Sequence, residues 1–560
     1  MSLMNVLARA EAVAAGRAVP AATVRHRRIA ERPLVLVPLT TAGEAGAPLG
    51  AMVGTDRAEP TLLVVPQPLD RELRFAFFAG LAAAVLPVVD AYADEVETEP
   101  ATKNREEVEV CADAPQIVVP NSAALDYVRL LGRSTRYLRT VEDPDAPHPV
   151  PVPVPLLGRW LTHYAERART PGSSLLVAMT ELLTRHWATG QSAMEDQHLG
   201  ALLGWIDPPD GLDGGSAAAR AQTGRGPDGL LLSPPAGPAT DPVFDNRVLA
   251  PALERYDAAR SAGATGPMRV AEADVRRLVA SQLRPTWDDV WHGVDLLRAL
   301  PEGAHVEERW KRDRWSFTGH RDRLRAGEPP QPRRDDAVTA AQKLAGRETA
   351  QARLYAQEAL DDPLVMAARR LAGEAFTGTV LSVEMTWSEG RRPMPRPLLT
   401  LTTPDLPQAD PATRAYRALP GAKSAQTAEV VSLTPAPGVP AQRGAGGAPA
   451  EGPSAAGGGP AAADVPPAAG PAPAAEPQSG PLWQVVVRLT GGMGTGKTPR
   501  EGSVPEPGDR VTFTLFAHDQ RGGPALPEAE ATPWTHGGPP QARETAVPEA
   551  PDTATAEDFL

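Results

Sequence analysis

The sequence predicts a multidomain α+β protein with an N-terminal α/β domain, a central, mainly helical domain and a C-terminal small β-barrel, OB-like or SH3-like. Three observations lead to this prediction. Short β-branched runs alternate with helical patterns near the N-terminus. Helical spacing dominates 156–375, and strand patterns return at 376–403 and 482–516. The Ala, Gly and Pro residues between these last segments cannot bury enough apolar surface to fold, which predicts a disordered insertion in the barrel.

Changes in composition set the expected domain boundaries along the 560 residues. Alternating Pro and Val at 144–155 predict a stiff polyproline spacer. The expected order is an N-terminal helical or flexible segment at 1–32, the α/β domain at 33–143, the spacer at 144–155, the helical domain at 156–375 with a long loop or lid at 207–245, the barrel at 376–435 and 481–524, the disordered linker at 436–480 and a disordered acidic tail at 525–560.

The α/β domain is predicted from short runs rich in β-branched residues and from one apolar helix. Strands are expected at Pro33–Leu39, Thr61–Pro66 and 116–119. Ser122 follows the last strand as an N-cap candidate for a helix over Ala123–Leu131. The uncharged run Phe75–Val89 is 15 residues long, which is too short for a membrane span and suits a buried helix.

The helical domain is predicted from large apolar residues that recur at about 3.6-residue spacing. Thr286 and Asp289 have the spacing of a capping box and predict a helix start there. The expected helices are Leu156–Ala168, Ser173–Thr189, Ala193–Trp205, Asn246–Ala262, Ala271–Leu283, 286–300 and a long helix or helix pair at Ala337–Ala372.

The barrel is predicted from four strands, Phe376–Met385, Arg396–Thr403, Leu482–Thr490 and Arg510–Phe516. The string Gly491–Thr498 between the last two fits a phosphate-binding loop, which must open into a helix. Three prolines and two glycines in the next ten residues exclude that helix, so we expect a glycine-rich hairpin loop and no bound cofactor.

Composition restricts the classes of function. The net charge is −13 and the pI is about 5.4, so the field of the whole protein does not favour nucleic acid, although a local basic face still could. A single cysteine, Cys111, excludes a disulfide framework and a cysteine zinc site within one chain. We expect a cytoplasmic protein with no membrane partner.

Aromatic and cationic residues of the barrel are candidates for nucleic-acid binding, because OB-like barrels stack bases on aromatic rings beside positive charge. The alternative is that most of these aromatic residues form the barrel core. The aromatic candidates are Phe376, Trp387, Trp483, Phe513 and Phe516, and the cationic ones are Arg391, Arg392, Arg396, Arg488, Lys497, Arg500 and Arg510.

A second basic and aromatic segment spans 305–325, and it is locally unusual in so acidic a chain. Long cations suit phosphate contacts, and flat rings suit bases. A solvated helix with Glu/Asp–Arg pairs and inward tryptophans explains the pattern equally well. The candidate nucleic-acid contacts in this segment are Arg309, Trp310, Lys311, Arg312, Arg314, Trp315, Arg321 and Arg323.

Polar residues at 186–198 form the best candidate for catalysis or metal binding, namely His186, Glu195, Asp196 and His198. A Glu-x-x-His pair on one helix, such as Glu195 and His198, normally ligates metal together with a second helical pair and further carboxylates. Helix capping explains these residues adequately, so we expect no catalytic residue and no metal site.

These patterns favour a non-catalytic accessory or adaptor protein of bacterial nucleic-acid metabolism. It would bind nucleic acid and a protein partner, such as an ATPase or nuclease subunit, with the acidic tail on a basic partner surface. The Ala, Arg and Pro bias is typical of a high-GC bacterial proteome. Two alternatives stay open: a protein–protein scaffold without nucleic-acid binding, and a hydrolase with a site assembled across domains.

Overall fold

A computed structural model describes residues 3–44, 46–101, 106–335, 337–389, 393–422, 424–436, 481–494 and 496–519. Two compact units contain these residues, 1–365 and 366–519. The predicted disordered insertion (apart from residue 436) and the predicted tail lie outside the described residues.

The first unit combines helices with short strands. Its helices are α1 Leu3–Ala15, α2 Arg71–Asp94, α3 Ser122–Thr135, α4 Pro153–Ala168, α5 Met179–His186, α6 Leu199–Ile206, α7 Gly214–Thr223, α8 Pro242–Phe244, α9 Ala250–Ser261, α10 Thr265–Arg298, α11 Val306–Arg325 and α12 Ala337–Asp361. Its strands are β1 Val19–Pro20, β2 Leu34–Thr40, β3 Pro48–Gly54, β4 Thr61–Val64, β5 Val96–Glu99, β6 Val108–Cys111, β7 Ile117–Val119, β8 Leu176–Ala178 and β9 Trp187–Ala188.

A mixed five-stranded sheet lies at the centre of this unit, in the order β4-β3-β2-β7-β8. Strands β2, β7 and β8 are parallel, and the hairpin strands β3 and β4 extend the sheet in antiparallel fashion. Strand β8 comes from a segment that the sequence assigned to a helix of the separate helical domain. The sheet therefore joins the predicted α/β and helical domains in one unit.

Both faces of the sheet are buried, and β2 shows how. Leu34 and Leu36 face a core that contains Trp160 of α4. Val35 and Val37 alternate with them and face a second core around Trp287 of α10. Parallel strands with helices on both faces are expected to be apolar throughout.

Two prolines lie inside helices, and one of them lies where the sequence predicted a break between two helices. Helix α2 continues past Pro87, and α10 runs through Pro285 as one helix of 34 residues, where the prediction was two helices with a capping box at Thr286. Both prolines are solvent-exposed. Each proline lacks the N–H that would bond the helix carbonyl four residues earlier. Water can reach that carbonyl on the exposed side of the helix, and this reduces the free-energy cost of the proline.

Helix α2 is also the one helix in the described part of the chain that is long and apolar enough to cross a membrane by length and composition. It contains the apolar run that the sequence judged too short for a span. Phe77, Leu81 and Val85 of this helix pack into the first core. A core helix passes the same test, so the evidence for a membrane span is weak.

The second unit contains a closed, six-stranded antiparallel barrel, as the sequence predicted in outline. Helix α13 (Pro363–Leu371) leads into it. Its strands are β10 Ala375–Glu384, β11 Leu398–Thr403, β12 Arg414–Arg417, β13 Gln426–Pro435, β14 Trp483–Leu489 and β15 Arg510–Thr514, closing in the order β10-β11-β14-β13-β12-β15. The prediction missed β12 and β13, whose inward positions include the small residues Ala415 and Ala428, which give a weak apolar signal.

The barrel order corrects the expected hairpin. Strand β14 pairs with β11 and β13, whereas β15 pairs with β10 and β12. The glycine-rich string therefore connects two strands that are not neighbours. Inside the barrel, the rings of Phe376 and Phe513 stack with centroids 5.6 Å apart. The outward side chains of each strand alternate with this core.

Helices α3 and α4 approach so closely that glycine is required at their contact. A Cβ on Gly132 would lie 2.6 Å from the backbone nitrogen of Thr162, and one on Gly158 would clash with the backbone of Arg136. Both neighbouring groups are backbone atoms, which cannot move without shifting a helix.

We expect Gly158→Ala to lower the free energy of unfolding by about 2 kcal/mol, because the added methyl group forces the two helices apart. Urea unfolding followed by tryptophan fluorescence measures this change. Gly319→Ala is the matched control, because no atom lies within 4 Å of its Cβ position in α11. The control should gain up to about 1 kcal/mol from helix propensity. Equal effects of the two substitutions would contradict the steric argument.

Candidate functional site

An open groove of about 890 Å³ lies on the outer face of the barrel. One side is the loop that follows β10, and the base is formed by β12, β13 and β14. The side chains that give the base and side of the groove their chemistry are Trp387, Arg396, Arg414, Tyr416, Glu429 and Arg488, and Glu389 of the loop also lines it. The groove thus combines two aromatic rings with three guanidinium groups and two carboxylates.

Strand register brings three of the charged residues into one row. Arg414 of β12 is paired with Glu429 of β13, and Glu429 is paired with Arg488 of β14. Directly paired residues have Cβ atoms about 5 Å apart on the same face of a sheet. Their sequence neighbours Ala415, Ala428 and Leu489 point into the barrel core, so the charged row faces outward.

A second row of outward residues lies two positions along the same strands. Tyr416 is paired with Thr427, whose hydroxyl accepts a hydrogen bond from that of Thr490 at 3.0 Å. Tyr416 is therefore on the same outward face as Arg414, two residues away on β12. The base of the groove offers an aromatic ring beside the charged row.

Trp387 stands on the side of the groove with 52 % of its surface exposed. Backbone contacts hold its loop, because Ser388 N donates to Met394 O at 2.8 Å and Arg396 N donates to Thr386 O at 2.7 Å. The indole Nε1 lies 3.5 Å from Lys497 O. An exposed tryptophan on a loop with such backbone pairing is a ready stacking surface.

The arginines of the row are available for a ligand. Within the described ranges, no salt bridge engages Arg414, Glu429 or Arg488. Arg396 differs, because its guanidinium donates to the carbonyl of Thr490. Residues 366–519 contain 13 Lys and Arg against 13 Asp and Glu, so the whole net charge of −13 lies outside the barrel unit. The acidity of the chain therefore does not argue against an anionic ligand at this face.

Of three barrel residues predicted to contact nucleic acid, Trp387 and Arg488 line the groove and Trp483 does not. Trp483 begins β14, where it pairs with Thr403 and Pro435, and it does not line the groove. Of the other barrel candidates, Arg396 lines the groove, Phe376 and Phe513 are core residues, and Phe516 lies under the guanidinium of Arg369. Lys497, Arg500 and Arg510 are exposed outside the groove, and Arg391 and Arg392 lie outside the described residues.

Sequence reasoning missed Arg414, Tyr416 and Glu429. The available signal was Ala415, a small residue between the large polar residues Arg414 and Tyr416. One such position is too little to identify a strand by itself. Pairing with β13 supplies the missing information.

The predicted segment 305–325 forms α11, and three of its candidates, Arg309, Trp310 and Arg321, are buried. The guanidinium of Arg309 donates to Gln357 Oε1 at 2.7 Å and to His26 O at 2.8 Å. Trp310 Nε1 donates to Asp113 Oδ1 at 2.6 Å. Arg321 is buried as well, and its Nη1 donates to the carbonyl of Ala93 at 3.1 Å. A ligand could reach these three side chains only by displacing their hydrogen bonds.

The outer candidates of α11 meet the acidic hairpin of β5 and β6. Arg314 pairs with Glu97 at 2.5 Å, and Lys311 pairs with Glu99 at 3.1 Å. Trp315 Nε1 also donates to Glu99, at 3.2 Å. Glu97 and Glu99 of β5 thus neutralise cations on this side of α11.

Arg312 and Arg323 are the remaining predicted nucleic-acid contacts on α11. Arg312 lies 3.7 Å from Glu308 on the same helix, and Arg323 is exposed. Nucleic-acid binding by α11 stays a prediction. The described contacts match the alternative of a helix with internal ion pairs and inward tryptophans.

The glycine-rich string is not followed by a helix in the described residues, as its prolines predicted. Gly492 and Gly494 have positive φ angles of 78° and 90°. Arg500 N then donates to Met493 O at 2.8 Å, and turns lead to β15. Without a helix N-terminus, the string lacks the free N–H groups that hold phosphates in a P-loop.

The polar residues at 186–198 make hydrogen bonds to nearby backbone and side-chain groups. His198 Nδ1 accepts from Ala201 N at 3.2 Å and caps α6, and Glu195 accepts from Ser192 N at 2.8 Å. Asp196 accepts from the hydroxyl of Thr189 at 2.7 Å, and His186 Nδ1 lies 2.7 Å from Leu182 O. In the described part of the chain, no three His, Cys, Asp or Glu residues are grouped to hold a metal ion.

No protein-family model matches the chain, and no curated protein or solved structure matches it.

Several buried histidines stay neutral in the fold. The rings of His163 and His320 stack with centroids 4.2 Å apart, beside Trp160. Burial lowers the pKa of His163 well below its ordinary value and that of His320 to about 3. Burial likewise lowers the pKa of His186 to about 4. The charged form of each imidazole is disfavoured because the apolar surroundings do not solvate it.

We expect the first unit to lose stability as the pH falls below about 6.5, because the unfolded histidines then bind protons that the folded ones reject. The loss continues until the pH reaches the folded pKa values, at about 1 kcal/mol per pH unit for each histidine. Urea unfolding at several pH values measures it. His320→Phe should reduce the slope, and exposed His148→Gln should not. An unchanged slope in His320→Phe would contradict the argument.

Proposed function

We propose that the barrel unit binds single-stranded nucleic acid along its outer groove, and that the protein is a non-catalytic accessory factor of bacterial, cytoplasmic nucleic-acid metabolism. One observation supports this above the others. The exposed Trp387 and the ring of Tyr416 line the same groove as Arg414 and Arg488, which form no salt bridge among the described residues. Single-strand sites combine stacking rings with cations for the backbone in this way.

The chemistry of each part suits a strand. Base stacking on an aromatic side chain contributes about 1–3 kcal/mol and accepts any base. Arg414 and Arg488 can each make a bidentate contact with a phosphate. The groove is open to solvent, so a chain could pass along it without threading. A duplex would hold its bases stacked inside and could not offer them to Trp387.

The barrel has one strand more than the five of an OB-fold. The proposed use of the outer sheet face is nevertheless the one that OB-folds make of theirs. OB-like thus describes the mode of binding that we propose rather than the strand count.

An acidic peptide is the competing ligand, as in the scaffold alternative. Peptides commonly add a strand to a free sheet edge, and this closed barrel has none. A peptide would therefore bind through side chains alone, without the main-chain hydrogen bonds of an added strand. This comparison favours nucleic acid. A protein partner, such as an ATPase or nuclease subunit, would bind elsewhere, and the acidic tail 525–560 is our candidate for that contact.

We expect labelled single-stranded DNA or RNA to bind more tightly than duplex DNA in fluorescence anisotropy, with an affinity that falls steeply with salt. Trp387→Ala should weaken binding about tenfold or more through lost stacking. Arg414→Ala and Arg488→Ala should each weaken it and reduce the salt slope by about 1.

Two controls locate the site. Arg510→Ala removes an exposed cation of the barrel outside the groove, and Arg323→Ala removes an exposed cation of α11. Neither should change binding. A loss in Arg323→Ala with none in Arg414→Ala would move the site to α11. Absence of binding at low salt, or equal binding of an acidic peptide, would overturn the proposal.

A further inference from the structure

We propose that Glu429 makes the barrel groove selective for guanine, and this inference rests on the proposed binding of a single strand. Glu429 is the unexpected member of the strand row at the base of the groove. A surface that only attracts phosphate gains nothing from an acidic residue between its two arginines. Glu429 lies at that position by strand register, paired with Arg414 on one side and Arg488 on the other.

Three observations indicate that the carboxylate of Glu429 does not stabilise the fold. It forms no salt bridge within the described residues, although two arginines are its direct neighbours. Its side chain is partly exposed and lines the groove. Its inward neighbours, Ala428 and Val430, complete the barrel core without it. The carboxylate is therefore free to face a ligand.

Charge decides which part of a strand can lie over Glu429. A phosphate there would meet a like charge, which is unfavourable at close range. Phosphates are instead held by Arg414 and Arg488 at the two sides of the row. The strand then presents a base edge, rather than its backbone, to the carboxylate. Tyr416, two residues from Arg414 on β12, offers a surface for the ring of that base.

Hydrogen-bonding capacity then ranks the bases. An ionised carboxylate only accepts hydrogen bonds, and it can accept two in parallel. The Watson–Crick edge of guanine presents two adjacent donors, N1–H and the N2 amino group. Cytosine and adenine each present one amino donor beside an acceptor nitrogen. Thymine and uracil present one N–H between two carbonyl oxygens, which a carboxylate repels. Guanine is thus preferred, and thymine and uracil are disfavoured.

The test compares oligonucleotides that differ at one base. Thymidine strands of about 12 nucleotides, unsubstituted or with one central dG, dC or dA, are titrated by anisotropy against the full chain. The wild type should bind the dG strand about tenfold more tightly than the unsubstituted one, with dC and dA between them.

Glu429→Gln separates this role from a structural one. The amide removes the repulsion of phosphate, so the thymidine strand should bind several-fold more tightly. It also removes the paired acceptors, so the preference for dG should disappear. Overall affinity and base preference thus change in opposite directions, which a loss of folding cannot produce. Glu389→Gln is the matched control, because Glu389 also lines the groove but lies on the loop beside Trp387, and it should keep the dG preference.

The outcomes also distinguish this inference from the proposed function. Binding of all strands with equal affinity by the wild type would overturn guanine selectivity and leave strand binding intact. A dG preference that persists in Glu429→Gln would assign it to another residue and overturn the inference. Failure of every strand to bind would overturn the proposed function itself, and with it this inference.

Discussion

The pairing register of β12, β13 and β14 determines what the barrel offers to a ligand. Side chains alternate between core and surface along a strand, so a shift of one residue in β13 would turn Glu429 inward and expose Ala428. Burial of Ala415, Ala428 and Leu489 opposes such a shift. The same apolar packing that stabilises the barrel therefore fixes the row Arg414–Glu429–Arg488 on its outer face.

The first unit follows a different constraint, which is the burial of a sheet on both faces. Residues of β2 contribute alternately to two cores, and helices from both predicted N-terminal domains cover them. Neither set of helices could leave the sheet without exposing one of its faces to water. This explains why 1–365 form one compact unit, and why a polyproline pattern at 144–155 does not separate two. Pro153 there begins α4, at a position where the missing N–H of proline costs nothing.

Ion pairing within the fold determines whether a basic segment of the sequence is available to a ligand. Helix α11 has more cations than the groove, yet Glu97, Glu99 and Asp113 engage its side chains within the fold. Arg414 and Arg488 have fewer charged neighbours in sequence and no such partners in the described structure. Exposure of unpaired charge, rather than its density along the chain, favours the groove as the binding site.

The sequence by itself determined the features that depend on local composition. These include the return of strand patterns after residue 375, the barrel in outline and the lack of a helix after Gly491–Thr498, because period and proline content act over a few residues. It also identified Trp387 and Arg488 as candidates. Only the tertiary structure decided which charges are paired, that β8 joins β7, and that Arg414, Tyr416 and Glu429 share a groove with Trp387. Those facts depend on pairing between distant segments, such as Arg314 and Glu97, which lie 217 residues apart. The pattern within any single segment contains no information about such pairing.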